Sequence, residues 1–196
     1  FFGEVNIGRA RLRRLRAIEA RTPPPDPSSP ADLANMRADI PDRCAHLFNV
    51  GKSISGFDPI AGNSARLMDD SNSAVTSIIA DIDAAKEHVH VLFYIWLPDG
   101  NGCRVANALI RAAKRGVTCR AMVDNLGSRG MLKSPQWQAM KSAGVKLGIA
   151  LGIKHWILEA PFRRFDLRNH RKIVVIDNAI TYCGSQNCAD PAFLPK

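Results

Sequence analysis

Two short groups of polar residues near the C-terminal end of the chain have the types and spacing needed to act on a phosphodiester. The first contains His170 and Lys172, and the second contains Gly184, Ser185 and Asn187. Residues two apart on a strand project from the same face, so an imidazole would lie beside an ammonium. Imidazole can attack phosphorus, and the ammonium can stabilise charge on the non-bridging oxygens. These residues therefore predict a phosphate site.

The other polar residues of this segment are expected to support that site. Ser185 and Asn187 can donate hydrogen bonds to the same phosphate, and Gly184 allows close backbone approach. Asp177 is a candidate member of the catalytic set, but we expect it to fix local geometry and do not assign it the proton transfer. The alternative is a buried strand whose polar ends are satisfied by local hydrogen bonds.

Further residues are weaker candidates for binding. Arg164 and Arg168 lie just before His170 and could bind anionic headgroups, although scattered surface arginines are an equal alternative. Tyr94 could face the phosphate, but packing in the core is favoured. The histidine pair at 88 and 90 lacks a carboxylate or thiol placed to complete a metal site, so no metal and no cofactor are expected.

The elements that must position these residues follow an alternation of helix and strand patterns. Repeated helix and strand units predict an α/β layered fold with a mostly parallel β-sheet flanked by helices. A tight turn is expected at Asp177 and Asn178. The predicted elements are a helix capped by Ser73, a strand at 90–96, a helix at 102–115, a strand at 117–123, a helix at 134–143, and strands at 145–149, 172–176 and 180–183.

The N-terminal part of the chain has a different composition. Residues 7–19 place apolar residues at three-residue steps among arginines, which is typical of a basic amphipathic helix on anionic headgroups; a solvated arginine-rich segment is the alternative. A stiff proline-rich linker is expected to follow. A short polar helix is expected within 31–47 and a loop at 51–62. We therefore expect two domains. Residues 1–50 would contain the basic arm, the linker and the short helix, and residues 51–196 would form a catalytic half-domain.

Composition limits the class of protein and of partner. The 196 residues are 46% hydrophobic, as in globular proteins, and the net charge of +9 favours an anionic partner. Nucleic acid, an acidic membrane surface and a phosphorylated substrate all satisfy that charge. The five cysteines are odd in number and have neither the CxxC pairs of zinc sites nor the density of a disulfide scaffold, so a reducing compartment fits best.

The spaced pattern HxKxxxxDxxxxxxGSxN is matched at every position and resembles the motif of the phospholipase D superfamily, the HKD motif. The strings GNSARLMDD, HVHVLFYIW, ALIRAAKRGVTCRAMVDNLGS, DLRNHRKIVVID and CADPAFLPK resemble the first catalytic half of bacterial cardiolipin synthases. FFGEVNIGRARLRRLRAIEA resembles the basic segment that follows their two transmembrane helices. The resemblance covers nearly the whole chain.

This resemblance implies a reaction and a missing partner. In the family, two HKD motifs meet at one site, where one histidine attacks phosphorus and the other protonates the leaving alcohol. The implied reaction condenses two phosphatidylglycerols to cardiolipin and glycerol through a phosphatidyl-histidine, without a metal. One motif is present here, so we expect a fragment that needs a second HKD half, from the same full-length chain or from a homodimer mate.

Other functions remain open at this stage. A phospholipase D-type hydrolase, a dimeric single-motif nuclease and a non-enzymatic membrane-binding half-domain are the alternatives. The basic arm and the string DLRNHRKIVVID favour phosphatidylglycerol and an anionic membrane surface as partners, so nucleic acid is not expected. The expected location is the cytoplasmic face of the bacterial inner membrane, with anchoring by transmembrane helices absent from this chain.

Overall fold

The computed structural model describes residues 38–150 and 168–193, together with a few positions of the basic arm, namely Arg13, Arg16, Ala17, Ala20 and Arg21. The predicted basic helix lies mostly outside the described residues, and the linker lies wholly outside them. The chain divides into two compact units, Phe1–Leu67 and Met68–Lys196. This division falls later than the boundary expected after residue 50.

The first unit contains one described helix, α1 (Asp42–Ser55). This helix begins inside the segment 31–47, where a helix was expected, but it continues into the predicted loop at 51–62. The reason is the position of the stop signal. Gly51 lies within the helix, whereas Gly56 adopts the left-handed conformation, with φ of 79°, that ends a helix.

The second unit is an α/β domain built on one sheet. Its strands lie in the order β3-β2-β1-β4-β5. Strands β1, β2 and β3 are parallel, while β4 is antiparallel to both of its neighbours. The described elements are α2 (Ser71–Ala84), β1 (His88–Phe93), α3 (Gly100–Lys114), β2 (Thr118–Asp124), α4 (Arg129–Leu132), α5 (Pro135–Ser142), β3 (Lys146–Ala150), β4 (Ile173–Ile176) and β5 (Ile180–Cys183).

This architecture confirms the predicted α/β fold with flanking helices. The sheet is mixed, because the tight turn between β4 and β5 requires those two strands to be antiparallel. Three residues, 177–179, connect the paired ends of these strands, and the first two have positive φ, 49° at Asp177 and 54° at Asn178.

The core lies between one face of the sheet and the helices. Alternate residues of β1 and β2 are buried there, in agreement with the period of two of a strand. Helices α2 and α3 each bury one apolar stripe, whose residues recur at helical spacing in the sequence. The core residues from these four elements include Val89, Val91, Phe93, Cys119, Ala121, Val123, Val75, Ile78, Ile82, Val105, Ala108, Leu109 and Ala112.

Helix ends depend on side chains that the sequence identified only in part. Helix α2 is capped by Asp70, whose carboxylate accepts hydrogen bonds from the amides of Asn72 and Ser73, at 2.7 and 2.9 Å. Ser73, the predicted cap, instead lies at the third helical position and completes a capping box. The carboxylate of Asp70 takes the cap because it satisfies two amides at once. Ser134, at which the predicted helix 134–143 begins, is the N-cap of α5, and its side chain accepts a hydrogen bond from the amide of Trp137.

Candidate active site

His170 and Lys172 lie in the segment that leads into β4. The strand begins at Ile173, one residue later than predicted, and Ile173 pairs with Leu92 near the end of β1. Since β4 is antiparallel to β1, the residues before Ile173 continue past the carboxyl end of β1. His170 and Lys172 are therefore placed beside Tyr94, which follows that strand.

The ring of Tyr94 is the common neighbour of both residues. Its centroid lies 4.1 Å from that of the His170 imidazole, and the two planes differ by 16°. The Lys172 Nζ atom lies 5.9 Å from the centroid of the same ring. Tyr94 therefore lies at the candidate site rather than in the core, where sequence reasoning preferred to place it. The imidazole and the ammonium meet the same aromatic ring.

Backbone pairing brings the second polar group to the same end of the sheet. Cys183, the last residue of β5, pairs with Ile173. Five residues further on, the amide of Cys188 donates to the carbonyl of Ile95 at 3.1 Å, and the carbonyl of Cys188 accepts from Leu97 at 3.0 Å. The Gly-Ser-Gln-Asn segment runs between these two pairings, so it lies beyond the carboxyl end of β1 and the amino end of β4.

Within this segment, space and unused polar atoms are available. A side-chain carbon added at Gly184 would meet nothing within 4 Å. Ser185 is exposed. The Oδ1 atom of Asn187 is buried and has no hydrogen-bond partner among the described residues. Gly184 thus leaves open space and Ser185 is accessible, whereas the unused atom of Asn187 is an acceptor oxygen and not a donor to phosphate.

Arg168 has a different placement from the one expected. Its Nε atom donates to both carboxylate oxygens of Asp124 at 2.9 Å, and its Nη2 atom lies 2.9 Å from Oδ1. The side chains are 5% and 0% exposed. Because it is buried against a carboxylate, this guanidinium has no surface for a headgroup, contrary to the sequence-based hypothesis. Its pairing with Asp124 instead holds the segment before His170 against the end of β2. Arg164 lies outside the described residues.

Asp124 is the functional candidate that sequence reasoning missed. It ends β2, and its Oδ1 atom also accepts hydrogen bonds from the amides of Leu126 and Gly127 at 2.8 and 3.1 Å. One carboxylate therefore joins the turn after β2 to the segment just before His170. The available signal was a carboxylate directly after an apolar strand, but nothing in the sequence paired it with Arg168.

Asp177 lies at the opposite end of β4 from His170 and Lys172. Its carboxylate accepts hydrogen bonds from the backbone amides of Lys86, Glu87 and His88, at 2.8, 2.9 and 2.8 Å. These bonds tie the turn between β4 and β5 to the start of β1. The structure therefore separates Asp177 from the other candidates and engages its carboxylate in backbone hydrogen bonds.

Asp177→Asn is expected to lower the melting temperature at neutral pH. Hydrogen bonds from Lys86, His88 and Glu87 lower the pKa of the Asp177 carboxyl. A lowered folded-state pKa means that the ionised carboxylate stabilises the fold above the unfolded pKa of about 3.9, and that this contribution is lost as pH falls through the folded pKa. Melting curves at pH values from neutral to acidic should therefore converge for the two proteins.

Asp69→Asn is the matched control for that experiment, because Asp69 is exposed near the cap of α2. Its melting temperature is expected to follow that of the unmodified chain at every pH. If the difference in melting temperature between Asp177→Asn and the unmodified chain grew on acidification, the stabilising role of the ionised Asp177 carboxylate would be contradicted.

Three negative findings concern the described residues alone. They contain no group of three or more histidine, cysteine or acidic side chains that could hold a metal ion. No helix among them is long and apolar enough to cross a membrane. The groove of about 380 Å³ on the face of the sheet away from the core, near Leu92 and Val175, has none of the predicted site residues in its lining.

The structure is an α/β domain with a cluster of polar side chains at one end of its sheet. The profile of the family described as cardiolipin synthase, PLD-like domain, matches residues 78–195. The chain belongs to this family, within the phospholipase D superfamily. This confirms the family resemblance found in the sequence.

Similar proteins include several named cardiolipin synthase A. That of Citrobacter koseri is 36% identical over 207 residues, which cover 100% of this chain and 40% of the relative. That of Escherichia fergusonii is 35% identical over 207 residues, with the same coverage. The chain thus spans about two fifths of the length of the curated relatives that it matches.

Two solved structures are also similar to parts of this chain. The phospholipase D family member Nuc from Salmonella typhimurium has a TM-score of 0.42 and 22% identity, covering 61% of this chain and 68% of that one. NucT from Helicobacter pylori has a TM-score of 0.41 and 21% identity, covering 60% and 69%.

Proposed function

We propose that this chain is one catalytic half of a phosphatidyltransferase of the cardiolipin synthase type. The observation that carries the proposal is the convergence of His170 and Lys172 on the Tyr94 ring, at the sheet end where Ser185 and Asn187 also lie. The relatives named cardiolipin synthase A support the choice of a lipid reaction. The enzyme's substrate would be phosphatidylglycerol.

The proposed first step is an attack by a ring nitrogen of His170 on the phosphorus of phosphatidylglycerol. A nitrogen–phosphorus bond forms, the phosphorus–oxygen bond to glycerol breaks, and the leaving oxygen takes a proton from a general acid. The ammonium of Lys172 stabilises the negative charge on the non-bridging oxygens. The Ser185 hydroxyl and the Asn187 amide donate further hydrogen bonds to the same oxygens.

The second step transfers the phosphatidyl group to an alcohol. A hydroxyl of a second phosphatidylglycerol attacks phosphorus, the general acid takes the hydroxyl proton as a base, and the bond to His170 breaks. The products are cardiolipin and the restored imidazole. Phosphatidyl-histidine keeps transfer potential, so that an alcohol can compete with water for it. We propose that Asp177 contributes only through the fold.

A second HKD half would supply the general acid. It would come from the same full-length chain or from a homodimer mate, and the reaction would take place at the cytoplasmic face of the bacterial inner membrane. The net charge of +9 supports an anionic surface as the partner. Phosphatidylglycerol vesicles should therefore bind the protein, and binding should weaken as salt screens the charges.

The reaction is tested by incubating the full-length protein that contains this sequence with radiolabelled phosphatidylglycerol. We expect labelled cardiolipin together with released glycerol. Phosphatidic acid in place of cardiolipin would identify a hydrolase and overturn the transferase proposal. DNA cleavage with neither lipid product would identify a nuclease.

The isolated 196-residue chain, verified as a monomer, is expected to give no turnover of phosphatidylglycerol. The glycerol oxygen is a poor leaving group without a proton donor, and this chain carries one HKD motif. Glycerol release from a monomer, measured after light scattering has confirmed its mass, would refute the need for a second half. The His170→Ala chain is the blank for contaminating lipases.

A further inference from the structure

We propose that Tyr94 is a positioning residue for His170, setting the plane of the imidazole so that an in-plane ring nitrogen meets phosphorus. The rings are 4.1 Å apart at 16°, which is a stacked contact of one face of the imidazole. The nitrogen lone pairs that attack phosphorus lie in the imidazole plane. Stacking therefore blocks a ring face and leaves the reacting edge free.

The stacked ring also contacts the second reacting group. The Lys172 Nζ atom, at 5.9 Å from the Tyr94 centroid, lies within the range in which a cation is attracted to an aromatic face. Tyr94 thus restricts both the nucleophile and the cation that stabilises the phosphate. Fixing two groups before substrate arrives lowers the entropy lost on reaching the transition state.

The backbone of Tyr94 is itself fixed by the turn after β2. The carbonyl of Tyr94 accepts a hydrogen bond from the hydroxyl of Ser128 at 3.1 Å, and Ser128 is fully buried. Gly127 approaches the same carbonyl so closely that an added Cβ would lie 2.4 Å from its oxygen. A rigid backbone at this position lets the aromatic ring act as a fixed surface.

The effect on rate rests on the proposed function, whereas the orientation of the imidazole does not, so the test measures both. Protons above an aromatic face resonate upfield, and the imidazole protons of His170 report this directly by NMR. We expect upfield positions in the unmodified chain and in Tyr94→Phe, which keeps the ring. Tyr94→Leu should lose the upfield displacement.

The rate is measured as covalent adduct formation with bis(p-nitrophenyl) phosphate. Nitrophenolate leaves without protonation, so the chain can be used without a second HKD half. A ring nitrogen of His170 bonds to phosphorus, the phosphorus–oxygen bond breaks, and nitrophenolate departs with the electron pair. We expect Tyr94→Phe to react within about twofold of the unmodified chain and Tyr94→Leu about tenfold more slowly, which is the scale of one aromatic contact.

The reduction in Tyr94→Leu should fall on the maximal rate and not on the half-saturating concentration, because Ser185 and Asn187 remain to bind phosphate. A chain with no upfield displacement, or a folded Tyr94→Leu chain that reacts at the unmodified maximal rate, would overturn the proposal. If the upfield displacement of the His170 protons is lost in Tyr94→Leu but no chain forms an adduct, the orienting role of Tyr94 is upheld. The same result would refute His170 as the nucleophile. Tyr94→Met repeats the comparison if Tyr94→Leu is unfolded.

Discussion

His170→Ala is expected to abolish the covalent phosphorus adduct, whereas His46→Ala should leave its yield unchanged. The imidazole of His170 is exposed and stacked on Tyr94, and alanine offers no nucleophile in its place. His46 is an exposed histidine of helix α1, in the other unit of the chain, and controls for nonspecific phosphorylation of imidazoles. The expected loss is complete because the substitution removes the imidazole that forms the bond to phosphorus.

Intact-mass spectrometry after reaction with bis(p-nitrophenyl) phosphate measures the adduct directly. A phosphorus–nitrogen bond is stable in alkali and labile in acid, so the mass increase should disappear on brief acid treatment. Peptide mapping should then place the group on His170. An undiminished adduct in His170→Ala would remove His170 as the nucleophile, while leaving it available as the general acid of the paired site.

Local patterns in the sequence were sufficient to predict most elements of the second unit. The predicted helix at 102–115 is present, and its stripe that includes Val105 and Leu109 is buried, because a 3.6-residue period specifies one face whatever the helix packs against. Gly116 adopts φ of 93° just after that helix, the conformation in which glycine commonly follows a helix end. Such features depend on a few neighbouring residues and need no knowledge of distant ones.

Strand limits were less predictable, because apolar character does not end where pairing ends. The predicted strand at 90–96 lies at His88–Phe93 in the structure. Trp96 is fully buried, yet beyond the strand it pairs only in an isolated bridge with Cys188. Its apolar side chain made the strand appear longer in the sequence. Hydrophobic periodicity records burial, and backbone pairing is a separate property.

The candidate site shows the same division between local and distant information. The spacing of His170 and Lys172 predicts phosphodiester chemistry, because that prediction needs only the types and spacing of neighbouring residues. The contacts with Tyr94 and the pairing of Arg168 with Asp124 could not be predicted, because strand order decides which distant segments meet. Arg168 and Asp124 are 44 positions apart.

The ion pair between Arg168 and Asp124 is expected to dominate the stability of the segment that carries His170. Removing one partner leaves an uncompensated charge in a site where the side chains are 5% and 0% exposed. Loss of one member of a buried pair destabilises a protein by about 3–5 kcal/mol. Arg168→Met and Asp124→Leu should each lower the free energy of unfolding by about that amount.

Asp124→Leu should be the more harmful of the two single changes. The carboxylate also accepts hydrogen bonds from the amides of Leu126 and Gly127, and leucine leaves both donors without it. Urea denaturation of the two single variants and of the double variant completes a double-mutant cycle. The double variant should be less destabilised than the sum of the two single changes, because neither charge remains buried alone.

The exposed pair of Lys52 and Asp58 provides the control for this cycle. Its atoms lie 2.6 Å apart, closer than those of the buried pair, but the side chains are 51% and 72% exposed. Solvent screening limits such pairs to about 0–1 kcal/mol, so Lys52→Met should have little effect. If Arg168→Met proved as harmless as Lys52→Met, burial would not make this arginine an anchor, and the position of His170 would have to depend on Tyr94 and the strand pairing alone.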